Sequence, residues 1–150
     1  MFYNSHRKLR VWQEAMKLVS EVYRLMRESM TDGRWPKYET YALCDQLRRA
    51  VVSIPTNIAE GNARQYEKEK RQFFYIALGS LAEVSTLLDV AESLSYIQNS
   101  TDGVIDGRSS TLRAIDERCE TISRMLSGFV DSSGSAIGHR PSNAKDIPNA

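Results

Sequence analysis

The stretch "CDQLRRAVVSIPTNIAEG" (Cys44–Gly61) decides the fold, because its apolar residues recur every three or four positions. That alternation places one apolar stripe along one side of an α-helix, where it can pack against a neighbouring helix at a shallow angle. The stretch therefore predicts a long amphipathic helix. Its stripe consists of Cys44, Leu47, Val51, Ile54 and Ile58.

The same alternation recurs in three other segments, so the sequence predicts an all-α protein, an antiparallel up-down four-helix bundle. We assign the bundle to residues 1–131 and a flexible tail rich in Ser, Gly and Pro to residues 132–150. The predicted stripes are Trp12, Met16, Val19, Tyr23 and Met26 (beside Ala15 and Val22); Phe74, Ala77, Leu81, Val84, Leu88 and Ala91; and Leu112, Ile115, Cys119, Ile122, Leu126 and Phe129.

A proline interrupts the second predicted helix. Pro55 lacks an N–H and clashes with the carbonyl four residues back, which costs about 3 kcal/mol unless the bend is useful. Asn57 and Glu60 lie off the apolar stripe. They either bond carbonyls freed by the proline, cap the turn after Gly61, or bind a ligand. We expect Gly61 to be the first residue after the helix.

The composition fits one soluble domain, but the charge is uneven. Residues 7–71 hold 14 Lys/Arg and 9 Asp/Glu, a net of +5, whereas residues 72–131 hold 4 and 9, a net of −5. The basic half can meet phosphate, or it can pair with the acidic half of the same or a neighbouring subunit. No run approaches the roughly 18 apolar residues of a membrane span, so no membrane partner is expected. No signal peptide is apparent either, and with two cysteines read as free thiols we expect a cytoplasmic protein.

The sequence offers little for catalysis. Its only histidines, His6 and His139, lie near the two ends of the chain, outside every predicted helix. This excludes a di-iron site in the bundle core, and no Cys/His spacing fits zinc. No glycine-rich phosphate loop is present. We therefore predict no enzyme, no metal and no cofactor.

Two stretches together resemble a known family: "WPKYETYALCDQLRRAVVSIPTNIAEG" (Trp35–Gly61) and "FFYIALGSLAEV" (Phe73–Val84). They are similar to the four-helix-bundle proteins encoded within intervening sequences of bacterial 23S ribosomal RNA genes. That family includes the accessory variability protein of diversity-generating retroelements. The likeness runs from about Leu9 to Phe129.

The resemblance implies a ring-shaped homopentamer without enzymatic activity. In the retroelement branch, it implies a ring that binds nucleic acid through a basic surface and docks a reverse transcriptase. Members of that branch look strongly basic, whereas this chain has a pI of about 7.8, which argues against that branch.

Five basic residues are our candidates for contacts with RNA or DNA. Arg48 and Arg49 can grip phosphate in a fork, or they can pair with acids across a subunit interface. Arg64, Lys68 and Arg71 are interleaved with aromatic residues, a pattern that suits single-stranded RNA, although a mixed-charge helix face is an equal alternative.

Gly79 lies inside the third predicted helix, where glycine costs roughly 1 kcal/mol relative to alanine. We therefore expect close approach by another helix there, within the bundle or between subunits. Two functions remain open: a ring-forming RNA-associated protein, and a scaffold that docks a partner protein without touching nucleic acid.

Overall fold

Four long helices form the protein, and the computed structural model describes residues 4–97 and 109–132 of it. The helices are α1 (Arg10–Thr31), α2 (Leu43–Ala63), α3 (Glu67–Ser93) and α4 (Ser110–Ser132). Short 3-10 helices, Ser5–Lys8 and Lys37–Tyr41, precede α1 and α2. Each long helix contacts two others: α1 and α3 both lie against α2 and α4. These ranges contain no strand, and the all-α four-helix bundle is confirmed.

The core follows the predicted stripes in α2 and α3. The five stripe residues of α2 are all fully buried, and so are Ala77, Val84 and Leu88 of α3. With the core residues of α1 and α4 they form one hydrophobic cluster. A stripe on each helix is removed from water by the other helices, which is the main source of bundle stability.

The predicted stripe of α1 is wrong by one position. Met16 and Tyr23 are each 40% exposed, and Trp12 and Val19 are only partly buried. The residues that face the core are Val11, Ala15, Leu18, Val22, Leu25 and Met26. Two apolar stripes lie side by side on this helix, and spacing alone cannot tell which of them turns inward. The same ambiguity misplaces Phe129 of α4, which is exposed, while its neighbour Val130 is buried.

Gly61 lies inside α2, not after it, so the prediction of a residue beyond the helix end is wrong. A Cβ at this position would lie 2.9 Å from Cε1 of Phe74 and 3.1 Å from the carbonyl oxygen of Lys70. Glycine therefore lets the end of α2 approach the start of α3. Further along, the hydroxyl groups of Ser53 and Ser80 are 2.9 Å apart. These two contacts show that α2 and α3 run in opposite directions, whereas the antiparallel order of the other pairs stays a prediction.

A serine caps the start of α4. The Oγ of Ser109 accepts a hydrogen bond from the backbone N–H of Leu112 at 3.3 Å, which satisfies a donor that the first turn leaves free. The predicted tail lies outside the described residues except for Ser132, the last residue of α4. The division into a bundle and a tail thus stays a prediction.

The helix α3 is unusually apolar. An 18-residue window of α3 has a mean hydropathy of 1.5, so by length and composition alone this one helix of the described ranges could cross a membrane. A stripe of α3 supplies the bundle core with Phe74, Ala77, Leu81, Val84, Leu88 and Ala91. We attribute its apolar character to that packing, and the absence of a membrane partner stays a prediction.

Candidate nucleic-acid interface

The five basic candidates do not form one surface. Arg48 and Arg49 lie in the first half of α2, whereas Arg64, Lys68 and Arg71 surround the joint between α2 and α3. At about 1.5 Å per residue, roughly 24 Å of helix separates Arg48 from Arg64. The sequence thus supplies two separate basic regions, one toward each end of the bundle.

The arginines in α2 are engaged within the chain. Arg48 is half-buried, and its Nη1 donates to the carbonyl oxygen of Thr40 at 3.3 Å. Arg49 pairs with Asp45 one turn earlier, at 2.8 Å between Nη2 and Oδ2. Its side chain nevertheless remains 80% exposed. Arg48 therefore acts as a tether, while Arg49 is still accessible to a ligand.

Arg64 is also occupied. Its Nη2 lies 2.5 Å from Oε1 of Glu60, and its guanidinium stands 4.6 Å from the centre of the Phe73 ring. Ion pair and cation–π contact together fix this side chain at the joint. The role of Glu60 is therefore local: it pairs with Arg64 across the last turn of α2.

Asn57 belongs to the contact between α2 and α3, whereas no hydrogen bond of the described residues links Pro55 to α3. Pro55 is buried within α2. The carbonyl that loses its donor there is that of Val51, but Asn57 donates elsewhere: to the carbonyl oxygen of Ser53 at 2.7 Å and to its Oγ at 2.9 Å. Because Ser53 also bonds Ser80, Asn57 completes a polar network between the two helices. The prediction that Asn57 bonds a carbonyl freed by Pro55 is therefore wrong. The same prediction for Glu60 is also wrong, because Glu60 pairs with Arg64.

The remaining two candidates form a row on α3, in which Lys68 is exposed and Arg71 is half-buried. Lys68, Arg71, Gln72 and Tyr75, which we call the basic row, follow the three-and-four spacing that aligns side chains on one side of a helix. With Ile76 they line an open depression of about 480 Å³. Tyr75 is 59% exposed. In the described part of the chain neither Lys68 nor Arg71 has an ion-pair partner. Gln72 was missed by the sequence analysis, although its spacing of four from Lys68 would have identified it.

Of the acidic residues interleaved with the row, Glu67 lies one turn before Arg71 and lines a depression with it. Successive residues of an α-helix are rotated by about 100°, so Glu67 and Glu69 project to either side of Lys68. The charge of Glu67 is moreover met by Lys70, at 3.7 Å. The mixed-charge pattern thus separates only in part: Glu69 lies away from the row, whereas Glu67 stays beside Arg71.

Gly79 continues the exposed side of α3. No atom lies within 4 Å of the position that a Cβ would occupy there. The expectation of a close approach within the bundle is therefore wrong, and contact between subunits is the alternative that remains.

The cysteines give no sign of reactivity. Cys44 and Cys119 are both free, and desolvation by burial raises the pKa of Cys44 to about 11 and that of Cys119 to about 12. Both thiols are thus protonated at neutral pH, and the thiolate is the reactive form. Within residues 4–97 and 109–132, no three His, Cys, Asp or Glu side chains are grouped to hold a metal ion.

Fold and surface together define an all-α four-helix protein with a basic row of free cations beside an exposed tyrosine. The chain belongs to the family of 23S rRNA-intervening sequence proteins, whose model matches residues 7–128. This match confirms the resemblance drawn from the two sequence stretches. No curated protein matches the chain.

Proposed function

We propose that this protein is a non-enzymatic, homo-oligomeric protein of the cytoplasm that associates with RNA through the basic row. The observation that supports the proposal is the pair of unpartnered cations, Lys68 and Arg71, beside the exposed ring of Tyr75. The resemblance implies that the oligomer is a pentameric ring. A ring would repeat the basic row in every subunit and so multiply a weak contact.

The chemistry of the row suits single-stranded RNA. Lys68 and Arg71 lie one turn apart and offer two positive charges to successive phosphates, which releases condensed counterions on binding. Tyr75 lies one further turn along, where an unpaired base can stack on its ring. Arg64 contributes less, because Glu60 already neutralises it.

The test measures the affinity of the full chain for a fluorescently labelled single-stranded RNA by anisotropy across a salt series. We expect Lys68→Ala/Arg71→Ala to weaken binding by about 10-fold and to lower the slope of log K against log salt by about 1.4, since each phosphate contact contributes about 0.7. The matched control is Arg24→Ala/Arg27→Ala, which removes the same charge from exposed positions of α1. A flat salt response would contradict the proposal, and so would an equal loss in the control.

A second function is favoured by the exposed stripe on α1. Met16 and Tyr23 of a single chain place apolar surface in water; if copies of the chain do not associate through this stripe, it suits a scaffold that docks a partner protein without binding nucleic acid. In the retroelement branch that the resemblance includes, such a partner is a reverse transcriptase. This alternative would be supported if the full chain bound no RNA at low salt while the apolar stripe on α1 remained exposed.

A further inference from the structure

The link between α1 and α2 holds two tyrosines that the basic row does not use. Tyr38 is 69% exposed and Tyr41 is 89% exposed, and both belong to the 3-10 helix Lys37–Tyr41. Aromatic side chains are usually among the more buried residues of a folded chain. Two so exposed within one short helix mark a surface that needs a ligand to explain it.

The geometry of this helix sets the spacing of the rings. In a 3-10 helix, side chains three residues apart lie on the same side, separated by about 6 Å along the axis. That separation is roughly twice the ~3.4 Å rise between stacked bases. Neither tyrosine packs on the other among the ring contacts of the described residues. Two side chains at this spacing can receive one flat aromatic ring between them.

The 3-10 helix is held on several sides. Glu39 accepts hydrogen bonds from the hydroxyl of Tyr96 and from the backbone N–H of Leu43, both at 3.2 Å. The ring of Tyr96 lies 5.1 Å from that of Trp35, which is buried just before the helix. Arg48 donates to the carbonyl of Thr40. A helix fixed by these bonds presents its tyrosines in one arrangement, which reduces the entropy lost on binding.

Tyr38 also interacts with Tyr96: its hydroxyl is the largest of the causes that raise the pKa of Tyr96 to about 12.

We propose that Tyr38 and Tyr41 clamp one unpaired base of single-stranded RNA between their rings. The proposal rests on the RNA-associated function proposed above, and it adds a second site near the other end of α2 from the basic row. Stacking accepts any base, so the site recognises an unpaired nucleotide, not a sequence.

The experiment uses the full chain and a short single-stranded RNA that contains one 2-aminopurine, whose fluorescence is quenched by stacking. We expect Tyr38→Ala/Tyr41→Ala to lower the affinity by about 10-fold and to abolish the quenching, with no change in the salt slope, because stacking releases no counterions. Tyr38→Phe/Tyr41→Phe keeps both rings and should bind within about twofold of wild type. Lys68→Ala/Arg71→Ala should lower the salt slope and keep the quenching.

Failure of the clamp is distinguishable from failure of the proposed function. If the alanine pair binds and quenches like wild type while Lys68→Ala/Arg71→Ala binds more weakly, the clamp is overturned and the proposed function stands. If the wild-type chain binds no RNA even at low salt, both are overturned. If the alanine pair changes the mass measured by light scattering, the tyrosines belong to a protein interface, which also overturns the clamp.

Discussion

Gly61 in α2 and Gly79 in α3 have opposite surroundings, so substitution by alanine should have opposite effects on stability. Gly61→Ala should destabilise the protein by about 1–3 kcal/mol, because the new methyl group meets Phe74 and a backbone carbonyl that cannot easily retreat. Gly79→Ala should stabilise it by about 0.5–1 kcal/mol, since the site is open and alanine favours the helix. Urea unfolding followed by circular dichroism measures both.

Each glycine variant is the control for the other, as the chemical change is identical. Equal effects would mean that helix propensity, not the closeness of α2 and α3, decides the outcome at Gly61. Light scattering adds a second readout for Gly79→Ala: a stabilised chain with a reduced assembly mass would place Gly79 in a contact between subunits.

Ser95 occupies a backbone conformation that favours glycine. Its φ is 60°, just beyond the end of α3. The N–H of Ser95 bonds the carbonyl of Glu92 and that of Tyr96 bonds the carbonyl of Ala91, both at 2.9 Å, which is the Schellman pattern. Ser95→Gly should therefore stabilise the protein by about 0.5–1 kcal/mol. Ser93→Gly, the matched change inside the helix, should destabilise it, and thermal unfolding compares the two.

At the scale of whole elements, α4 is joined to α1 by one arginine. Arg118 bonds both carboxylate oxygens of Glu21, at 2.7 and 2.8 Å, and also bonds Glu14. Because these groups are partly shielded from water, Arg118→Ala should cost about 1–3 kcal/mol. Arg49→Ala removes an exposed pair on a single helix and should cost at most about 0.5 kcal/mol. Similar losses in urea unfolding would show that the link between elements is no stronger than a surface pair.

Glu14, one of the partners of Arg118, predicts how stability depends on pH. Lys17 and Arg118 lower the pKa of Glu14 from its ordinary value of 4.5, the hydrogen bond from Lys17 being the largest cause. A group with a depressed pKa in the folded state stabilises above its unfolded pKa and loses that contribution as the pH falls through its folded pKa. Thermal unfolding from pH 6 to pH 3 should therefore show a steeper loss below about 4.5 for wild type than for Glu14→Gln. Parallel curves for the two proteins would show that Glu14 does not contribute to the pH dependence of stability.

Periodicity predicted the buried stripes of α2 and α3 correctly because each of these helices has one dominant apolar stripe. It failed on α1, where the stripe of Met16 and Tyr23 competes with the one of Leu18 and Val22. Which of the two stripes of α1 is buried depends on how the other helices pack against α1. Gly61 was misplaced for a related reason: its contact is with Phe74, in the next helix, and only the fold brings the two together.

On the scale of the whole molecule, the net charge of the basic half did not predict which cations are available. The pairs Arg49–Asp45 and Arg64–Glu60 are spaced by four residues and could have been inferred from the sequence. The bond from Arg48 to the Thr40 carbonyl depends on the path of the link before α2, which no spacing encodes. The basic row itself was only partly predicted: rotation around α3 separates its cations from Glu69, whereas Glu67 stays one turn from Arg71.

The exposed apolar stripe of α1 predicts where copies of the chain contact each other. A single chain leaves Met16 and Tyr23 partly in water beside the half-buried Trp12 and Val19, and burial of such surface is what drives association. If the chain forms the proposed oligomer, we expect Met16→Glu/Tyr23→Glu to convert it to monomers with unchanged helical circular dichroism. Gln13→Glu/Ser20→Glu adds the same charge at exposed polar positions of α1 and should leave the mass unaltered. If wild type has the mass of one chain, the proposed oligomer is contradicted. If the oligomer persists in Met16→Glu/Tyr23→Glu, its contacts lie on another face, and the open surface around Gly79 is the next one to test.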